Sequence, residues 1–129
     1  MVREGKYAVY KGIEYCLGKK GRDWANLLCY DKQSTQHGFV PHKYDVGVYT
    51  KRVPKTDIHE AYHIRTLVVF MGEKFMVRSQ DFNMLQIITS NVTIAHNFSF
   101  TQIAKYCFEK SISIEDVTQI YEEKISIKI

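Results

Sequence analysis

The sequence of 129 residues predicts a single α+β domain, residues 1–129, in which a curved antiparallel sheet is followed by two helices. Three observations predict this fold class. Short runs of β-branched and aromatic residues alternate with glycine-containing turns in the first half, and a longer run of the same kind occupies the middle of the chain. In the last third, apolar residues recur instead at helical spacing. We therefore expect an N-terminal meander, a long central hairpin and two C-terminal helices.

The N-terminal meander is predicted from its turns. Lys11-Gly12 is a two-residue connection in which glycine can take the positive φ of a hairpin turn, and residues 18–21 make a second turn. The polar segment 31–38 ends in glycine and is expected to form a loop. The strands expected around these turns span residues 6–10, 13–17, 24–30, 39–40 and 46–51.

The central hairpin gives the clearest strand signal. β-branched and aromatic residues dominate residues 61–70, and residues 71–74 make a turn into a second strand at 75–77. Residues 85–89 are expected to add one more strand. These segments should extend the sheet begun by the meander.

Two helices are predicted in the last third. The first begins at Ser99 or Thr101, and the second begins at Ser113, where Asp116 completes a capping box and Lys124 lies near the favourable C-terminal end. The apolar positions of the first helix are Phe100, Ile103, Ala104, Cys107 and Phe108. Those of the second are Ile114, Val117, Ile120 and Tyr121.

The composition fits a folded domain outside the membrane. Hydrophobic residues make up 45% and charged residues 25% of the chain, a balance that can fill a core. The longest apolar run, residues 67–71, is far shorter than the roughly 18 residues of a membrane helix, and no apolar stretch follows the N-terminal charges as a secretory signal requires. We therefore expect a cytoplasmic protein with no membrane partner, in which the three cysteines are reduced.

Positive charge is concentrated in the first part of the chain. Residues 1–60 contain 11 Lys and Arg against 7 Asp and Glu, a net charge of +4, whereas residues 61–129 contain 7 of each. The densest basic spot is Lys19, Lys20 and Arg22, and we interpret it as a solvated turn because a nucleic-acid binder concentrates more cations. We do not expect nucleic acid as the partner, but a nucleic-acid-binding small sheet domain stays an alternative. An acidic protein partner would suit the same charge.

Residues 59–63 match the H-E-x-x-H pattern of zinc proteases. On a helix, His59 and His63 would lie on one face and bind zinc, while Glu60 would activate a zinc-bound water. A zinc-dependent hydrolase is therefore an alternative function.

Two observations weigh against that alternative. The residues that follow, 64–70, favour a strand with no stop signal before it, and residues four apart in a strand are about 13 Å apart. Thr66 and Val69 also occupy the positions at which the extended zinc-protease pattern has glycine and a third histidine. We expect the backbone to be extended from residue 57 to residue 70, so that the two imidazoles cannot bind one ion.

We find no other pattern of a catalytic or metal-binding site. Cys107 and His96 could serve as nucleophile and base, but Cys107 lies on the apolar face of its predicted helix. No glycine-rich phosphate loop is present. We expect no catalytic residue, no metal and no cofactor. The close cysteine pair of a zinc knuckle is lacking among the remaining candidates, Cys16, Cys29, His37 and His42.

The chain contains 9 Tyr, 7 Phe and 1 Trp. Because side chains alternate along a strand, Tyr7, Tyr10 and Tyr15 cannot all face one side of the meander. Some tyrosines should therefore be exposed. Exposed tyrosines beside Lys and Arg are typical of protein-binding surfaces, and they could equally stack on unpaired bases.

Four segments together resemble the small cytoplasmic immunity proteins of bacterial polymorphic or contact-dependent toxin–immunity systems. The segments are residues 6–15 (KYAVYKGIEY), 49–58 (YTKRVPKTDI), 61–77 (AYHIRTLVVFMGEKFMV) and 113–127 (SIEDVTQIYEEKISI). The resemblance implies a protein that binds a cognate toxin, often a nuclease, and blocks its active site or its access to substrate. It implies no catalysis and assigns no residue roles.

We therefore predict a non-catalytic binding module, an immunity protein that occludes a toxin, acting as a monomer or as a homodimer paired through an exposed edge strand. The loop 31–45 and exposed tyrosines are the expected binding surface. The residues expected to contact the partner are Lys19, Lys20, Arg22, His37, His42 and Tyr44.

Overall fold

A computed structural model describes residues 2–129 of the chain. Strands contain 59% of the residues and helices 14%, and no helix in this range has seven or more residues. The prediction of an α+β fold with two C-terminal helices is therefore wrong, because the chain folds mostly as antiparallel sheet. No helix of residues 2–129 is long and apolar enough to cross a membrane.

Eleven strands and one short α-helix occur in residues 2–129. The strands are β1 (Gly5–Tyr10), β2 (Ile13–Lys20), β3 (Trp24–Cys29), β4 (Val40–Pro41), β5 (Tyr49–Pro54), β6 (Ile58–Phe70), β7 (Glu73–Asp81), β8 (Met84–Thr89), β9 (Thr101–Ala104), β10 (Cys107–Ser113) and β11 (Gln119–Ser126). The α-helix, α1, spans Val92–Asn97, and 3-10 helices span Lys32–His37, Lys55–Asp57 and Ile114–Asp116.

The chain divides into two compact units, and the division falls inside β6 and again inside β11. The first unit contains residues 5–63 and 124–129. The second contains residues 64–123 and the described residues that precede Gly5. The expectation of a single domain stays a prediction.

The first unit confirms the predicted meander. Strands β1, β2 and β3 pair antiparallel, and Lys11 and Gly12 connect β1 to β2 with φ angles of 49° and 78°. The neighbouring strands follow the order β4-β5-β3-β2-β1, and β1 in turn neighbours β6. The buried core of this unit consists of Ala8, Tyr10, Tyr15, Leu27, Phe39, Val53 and Ala61.

The second unit confirms the predicted central hairpin. Strands β6 and β7 pair antiparallel across Met71 and Gly72, whose φ angles are 50° and 82°. The predicted strand at 85–89 is β8, and the order from β6 is β6-β7-β8-β10-β9, with β11 also paired to β6. The buried core consists of Val68, Phe70, Phe75, Val77, Leu85, Ile87 and Ile112.

The first predicted helix, over residues 100–108, is a hairpin in the structure. Strands β9 and β10 pair antiparallel, and Tyr106 in the turn between them has a φ of 59°. Strand β10 also pairs with β8, which places Ile112 opposite Leu85 in the core. Pairing with β8 and β9 gives hydrogen-bond partners to the backbone N–H and C=O groups of β10. These tertiary contacts override the helical spacing of the apolar residues in this segment.

The second predicted helix, over residues 113–124, is one 3-10 turn followed by a strand. Ser113 Oγ accepts a hydrogen bond from the Glu115 amide at 3.2 Å, so the serine does cap a turn, but that turn ends at Asp116. The chain then continues as β11, which pairs with β6. An ion pair of 2.6 Å between Arg65 and Glu123 joins these two strands. Strand pairing therefore replaces the helix that the capping pattern predicted.

Candidate functional site

The connection between β3 and β5, residues 30–48, is fixed at its start by local hydrogen bonds. Asp31 Oδ1 accepts from the Gln33 amide at 2.9 Å and so caps the 3-10 helix Lys32–His37. Gly38 ends that helix with a φ of 87°, a conformation that favours glycine. The buried ring of Phe39 then packs on Tyr15, with ring centroids 4.9 Å apart. The polar segment predicted as a loop is therefore an anchored helical turn.

The second part of the connection is a turn built on His42. Its Nδ1 accepts hydrogen bonds from the amides of Tyr44 and Asp45, at 3.2 and 3.1 Å, and its amide donates to the Val48 oxygen at 2.7 Å. Asp45 Oδ2 also lies 3.5 Å from the same nitrogen. The turn holds Tyr44 and Val46 outward: Tyr44 is 79% exposed and Val46 is fully exposed.

We call residues 42–48 the His42 turn. Ordered loops that display aromatic and apolar side chains lose less conformational entropy on binding than mobile loops do. Tyrosine in particular supplies a large contact area at low entropic cost. The His42 turn therefore has the properties of a protein-binding surface.

A cleft lies beside the 3-10 helix, between it and the β1–β2 hairpin. It consists of two adjoining pockets of about 190 and 230 Å³, which share Ile13, Tyr15 and His37 in their walls. Lys11 and Lys51 line the larger pocket, and Ser34 lines the smaller one. We call this feature the hairpin cleft.

The cationic side of the hairpin cleft is arranged around Tyr10. The Nζ atoms of Lys11 and Lys51 lie 5.4 and 5.3 Å from the centroid of the Tyr10 ring, within the range of a cation–π contact. Lys51 Nζ also donates to the main-chain oxygen of His37 at 2.8 Å. Burial, together with Cys29 and Tyr10, raises the pKa of the neighbouring Tyr15, so its hydroxyl keeps its proton.

The structure separates the residues predicted to contact the partner into two groups. Lys20 pairs with Ala25 near one end of β3, whereas Cys29 pairs with Tyr49 at the other end, and four residues along a strand span about 13 Å. Lys19, Lys20 and Arg22 lie at the first end and are exposed. The residues in the connection that follows the second end are His37, His42 and Tyr44.

Trp24, at the Lys20 end of β3, is in contact with Arg52 and Gly21. The guanidinium of Arg52 lies 3.7 Å from the centroid of the Trp24 ring, as in a stacked cation–π pair. A Cβ at Gly21 would lie 2.1 Å from Trp24 Nε1, so the ring packs directly over this glycine. A nucleic-acid base could stack on the Arg52 side of this ring only by displacing Arg52.

The H-E-x-x-H segment is extended, as predicted. His59, Glu60 and His63 lie in β6, where His59 and His63 share one side of the strand about 13 Å apart. That separation is too large for both imidazoles to bind one zinc ion, whose bonds to nitrogen are about 2 Å long. Within residues 2–129, no group of three or more His, Cys, Asp or Glu is arranged to hold a metal ion. The helical zinc-protease arrangement is therefore absent from this segment.

Sequence reasoning singles out neither Lys11 nor Lys51 of the hairpin cleft, and it places Ser34 in the expected binding loop without a role of its own. The sequence places Lys11 in a turn, and its charge gives no further signal. Ser34 is one of several polar residues in the segment 31–38, and nothing in the sequence shows that it becomes buried. Lys51 reaches the cleft because β5 pairs with β3, a long-range contact that local patterns do not contain.

Comparison with known proteins places residues 2–128 in a family but assigns no activity. The search of curated proteins finds no match, and neither does the search of solved structures. The family model covers nearly the whole chain. The chain therefore belongs to the family described as Uncharacterised conserved protein UCP033725.

Proposed function

We propose that the chain is a non-catalytic binding module, an immunity protein that binds a cognate toxin and occludes it. The observation that carries the proposal is the His42 turn, in which hydrogen bonds to one imidazole hold Tyr44 and Val46 outward. An exposed tyrosine on an ordered turn is suited to insertion into a pocket of a partner.

The positive charge of residues 1–60 supports an acidic partner. Residues 1–60 have a net charge of +4, and Lys43 Nζ lies 5.4 Å from the Tyr44 ring centroid. Positive charge next to an aromatic anchor speeds association with an acidic surface and opposes basic partners.

The resemblance to immunity proteins supplies the biological class of the proposal. In such a role the chain would act in the cytoplasm of the toxin-producing cell, as a monomer or a homodimer. Inhibition by occlusion needs shape and charge complementarity and no chemical step, so the proposal assigns no catalytic residue.

The test is co-expression with the product of the neighbouring open reading frame, followed by affinity purification. We expect a stoichiometric complex in which the toxin has lost its activity. A neighbouring product that neither co-purifies with the chain nor is inhibited by it would contradict the proposal.

A nucleic-acid-binding sheet domain is the second candidate. Lys19, Lys20, Arg22 and Arg52 lie near the Trp24 end of β3 and favour this candidate by their charge. Its test is titration with a polynucleotide at several salt concentrations, because each neutralised phosphate steepens the salt dependence. The logarithm of the binding constant should then fall with the logarithm of the salt concentration, with a slope that corresponds to several neutralised phosphates. A slope that becomes shallower in Lys19→Ala and Lys20→Ala would favour this candidate over the immunity protein.

A further inference from the structure

Positive charge is concentrated in the first unit, residues 5–63 and 124–129. This unit contains 12 Lys and Arg against 6 Asp and Glu, a net charge of +6, whereas residues 2–4 and 64–123 contain 6 against 8, a net charge of −2. The ion pairs Arg3–Glu122, Arg65–Glu123 and Arg78–Glu109 all lie in the second unit. Among the described residues, no carboxylate forms an ion pair with a Lys or Arg of the first unit. Its positive charge is therefore available to a partner.

Strand pairing collects part of this charge at one end of the sheet. Arg52 pairs with Asn26 near the start of β3, and the Lys55 amide donates to the main-chain oxygen of Asp23 at 3.0 Å. These contacts bring Arg52 and Lys55 to the end of the strands at which β2 turns into β3. The cations at this end are Lys19, Lys20, Arg22, Arg52 and Lys55, and the acidic residues are Asp23 and Asp57. We call the five cations the basic end.

A half-exposed row of side chains adjoins the basic end. Tyr7, Cys16, Leu28 and Thr50 pair in register across β1, β2, β3 and β5, and all four are half-buried. We call them the Leu28 row. Side chains alternate along a strand, and the next residue along β3, Leu27, is buried in the core. The Leu28 row therefore lies on the side of the sheet opposite the core.

The Leu28 row and the basic end belong to one continuous surface. Trp24 and Leu28 lie on the same side of β3, and Arg52 lies on the same side of β5 as Thr50, because each pair is separated by an even number of residues. At Gly18, a Cβ would lie 3.3 Å from Leu28 Cγ, so the glycine leaves one flank of the leucine uncovered. The surface thus combines half-exposed apolar side chains with unpaired cations.

The size of this surface suits one segment of a partner. Strands β1, β3 and β5 are 6 residues long, and four strands about 4.8 Å apart give a face of about 15 by 20 Å. That area is below the standard protein interface of about 800 Å² per partner. An α-helix with its side chains is about 10–12 Å wide and fits within the face.

We propose that this surface binds an acidic amphipathic segment of a partner protein, with the carboxylates on the basic end and the apolar side chains on the Leu28 row. Guanidinium groups such as that of Arg22 match the geometry of a carboxylate. Nucleic acid is less suited, because the Arg52 guanidinium lies 3.7 Å from the Trp24 ring centroid and takes a face on which a base would stack. The surface does not include the His42 turn, so the proposal goes beyond the proposed function and stands independently of it.

Fluorescence titration of the full chain tests the proposal, because Trp24 is the only tryptophan and lies on this surface. Three probes are compared at about 100 mM salt. The first is a 16-residue peptide with Glu and Leu at helical spacing, the second has Ser in place of each Leu, and the third is a single-stranded oligothymidylate of equal charge. We expect the Glu–Leu peptide to change the Trp24 emission saturably. It should bind at least fivefold more tightly than either of the other probes.

Variants with a matched control assign the two parts of the surface. Lys20→Gln and Arg22→Gln should each weaken the Glu–Leu peptide at least threefold, because each removes one exposed cation of the basic end. Lys32→Gln is the control: it removes the same charge from an exposed side chain beyond the other end of β3, and binding should stay within twofold. Leu28→Thr should reduce the affinity for the Glu–Leu peptide to that for the Glu–Ser peptide.

Four results would each overturn the proposal. The first is no saturable change with the Glu–Leu peptide, and the second is equal affinity for the Glu–Leu and Glu–Ser peptides. The third is tighter binding of the oligothymidylate, which would assign the surface to nucleic acid. The fourth is an equal loss in Lys32→Gln and Arg22→Gln, which would show attraction by net charge alone. Circular dichroism establishes that each variant is folded, and the Glu–Ser peptide tests the Leu28 row even if Leu28→Thr does not fold.

Discussion

Lys51 Nζ donates a hydrogen bond to the main-chain oxygen of His37 at 2.8 Å, and so joins β5 to the end of the 3-10 helix that forms one wall of the hairpin cleft. The same ammonium group lies 5.3 Å from the Tyr10 ring centroid. One side chain of β5 therefore contacts two other parts of the first unit, the 3-10 helix and β1. It fixes the position of the 3-10 helix and supplies charge to the cleft.

Replacement of Lys51 by methionine should loosen the segment 31–39. The variant keeps most of the aliphatic stem but loses a charge-assisted hydrogen bond, which contributes about 1.5–3 kcal/mol in proteins; partial exposure of Lys51 places the expected loss of unfolding free energy near the low end. Hydrogen exchange at the Phe39 amide, which donates to the Ser34 oxygen, should accelerate. Lys105→Met is the control, and equal exchange rates in the two variants would contradict this role of Lys51.

Replacement of His42 by alanine should disorder the His42 turn. The amides of Tyr44 and Asp45 lose their acceptor, at a cost of about 1 kcal/mol. Asparagine at the same position should rescue the turn, because its side-chain oxygen can accept from the amides two and three residues on. NMR order parameters for residues 43–47 measure the effect. Unchanged order in His42→Ala, or equal disorder in the alanine and asparagine variants, would contradict the assignment.

Tyr15 should make stability depend on pH above about 10. Burial, then the neighbouring Cys29 and Tyr10, raises the pKa of its phenol above the ordinary value of 10.0. The unfolded chain therefore loses this proton first, so the contribution of Tyr15 is complete below about pH 10 and is lost as the pH rises through the folded pKa. Between pH 9 and 11.5, the unfolding free energy should fall more steeply in the natural chain than in Tyr15→Phe. Parallel curves for the two proteins would show that the pKa is not raised.

The strand assignment of the last third predicts unequal effects of two isoleucine truncations. Ile112→Ala removes a buried side chain opposite Leu85 and should cost about 2–5 kcal/mol. Ile120→Ala removes a side chain that β11 leaves exposed and should cost about 0.5 kcal/mol or less. Urea unfolding measures both. In the amphipathic helix first predicted, Ile120 belongs to the buried stripe, so an equally large loss at Ile120 would contradict the strand.

Local signals predicted the elements that depend on local geometry. Lys11-Gly12 and Met71-Gly72 form two-residue turns with positive φ at both positions, and the strands beside them follow from their residue types. Ser113 is a real cap, but a capping serine serves a 3-10 turn as well as an α-helix. The last third of the chain forms strands because β10 pairs with β8 and β11 pairs with β6. Such long-range pairing leaves no local pattern in the sequence.

The candidate site was predicted only in part for the same reason. His42 and Tyr44 lie in one turn, so the sequence already placed them together. Lys11 and Lys51 line one pocket, and Ser34 lines the adjoining pocket, only after β1, β2, β3 and β5 have paired. Ser34 is distinguished by burial rather than by residue type. Lys19, Lys20 and Arg22 form the densest basic spot of the sequence, yet they lie at the end of the strands that is far from the His42 turn.

The most direct test of the binding surface compares two matched tyrosines. Tyr44 and Tyr106 are 79% and 67% exposed, and each ring has the preceding lysine at a similar distance, 5.4 and 5.3 Å. The measurement is the Kd of each alanine variant for the toxin encoded by the neighbouring open reading frame. We predict that Tyr44→Ala weakens binding at least thirtyfold, on the order of 2 kcal/mol, while Tyr106→Ala stays within threefold of the natural chain. Equal affinities of the two variants would contradict the account.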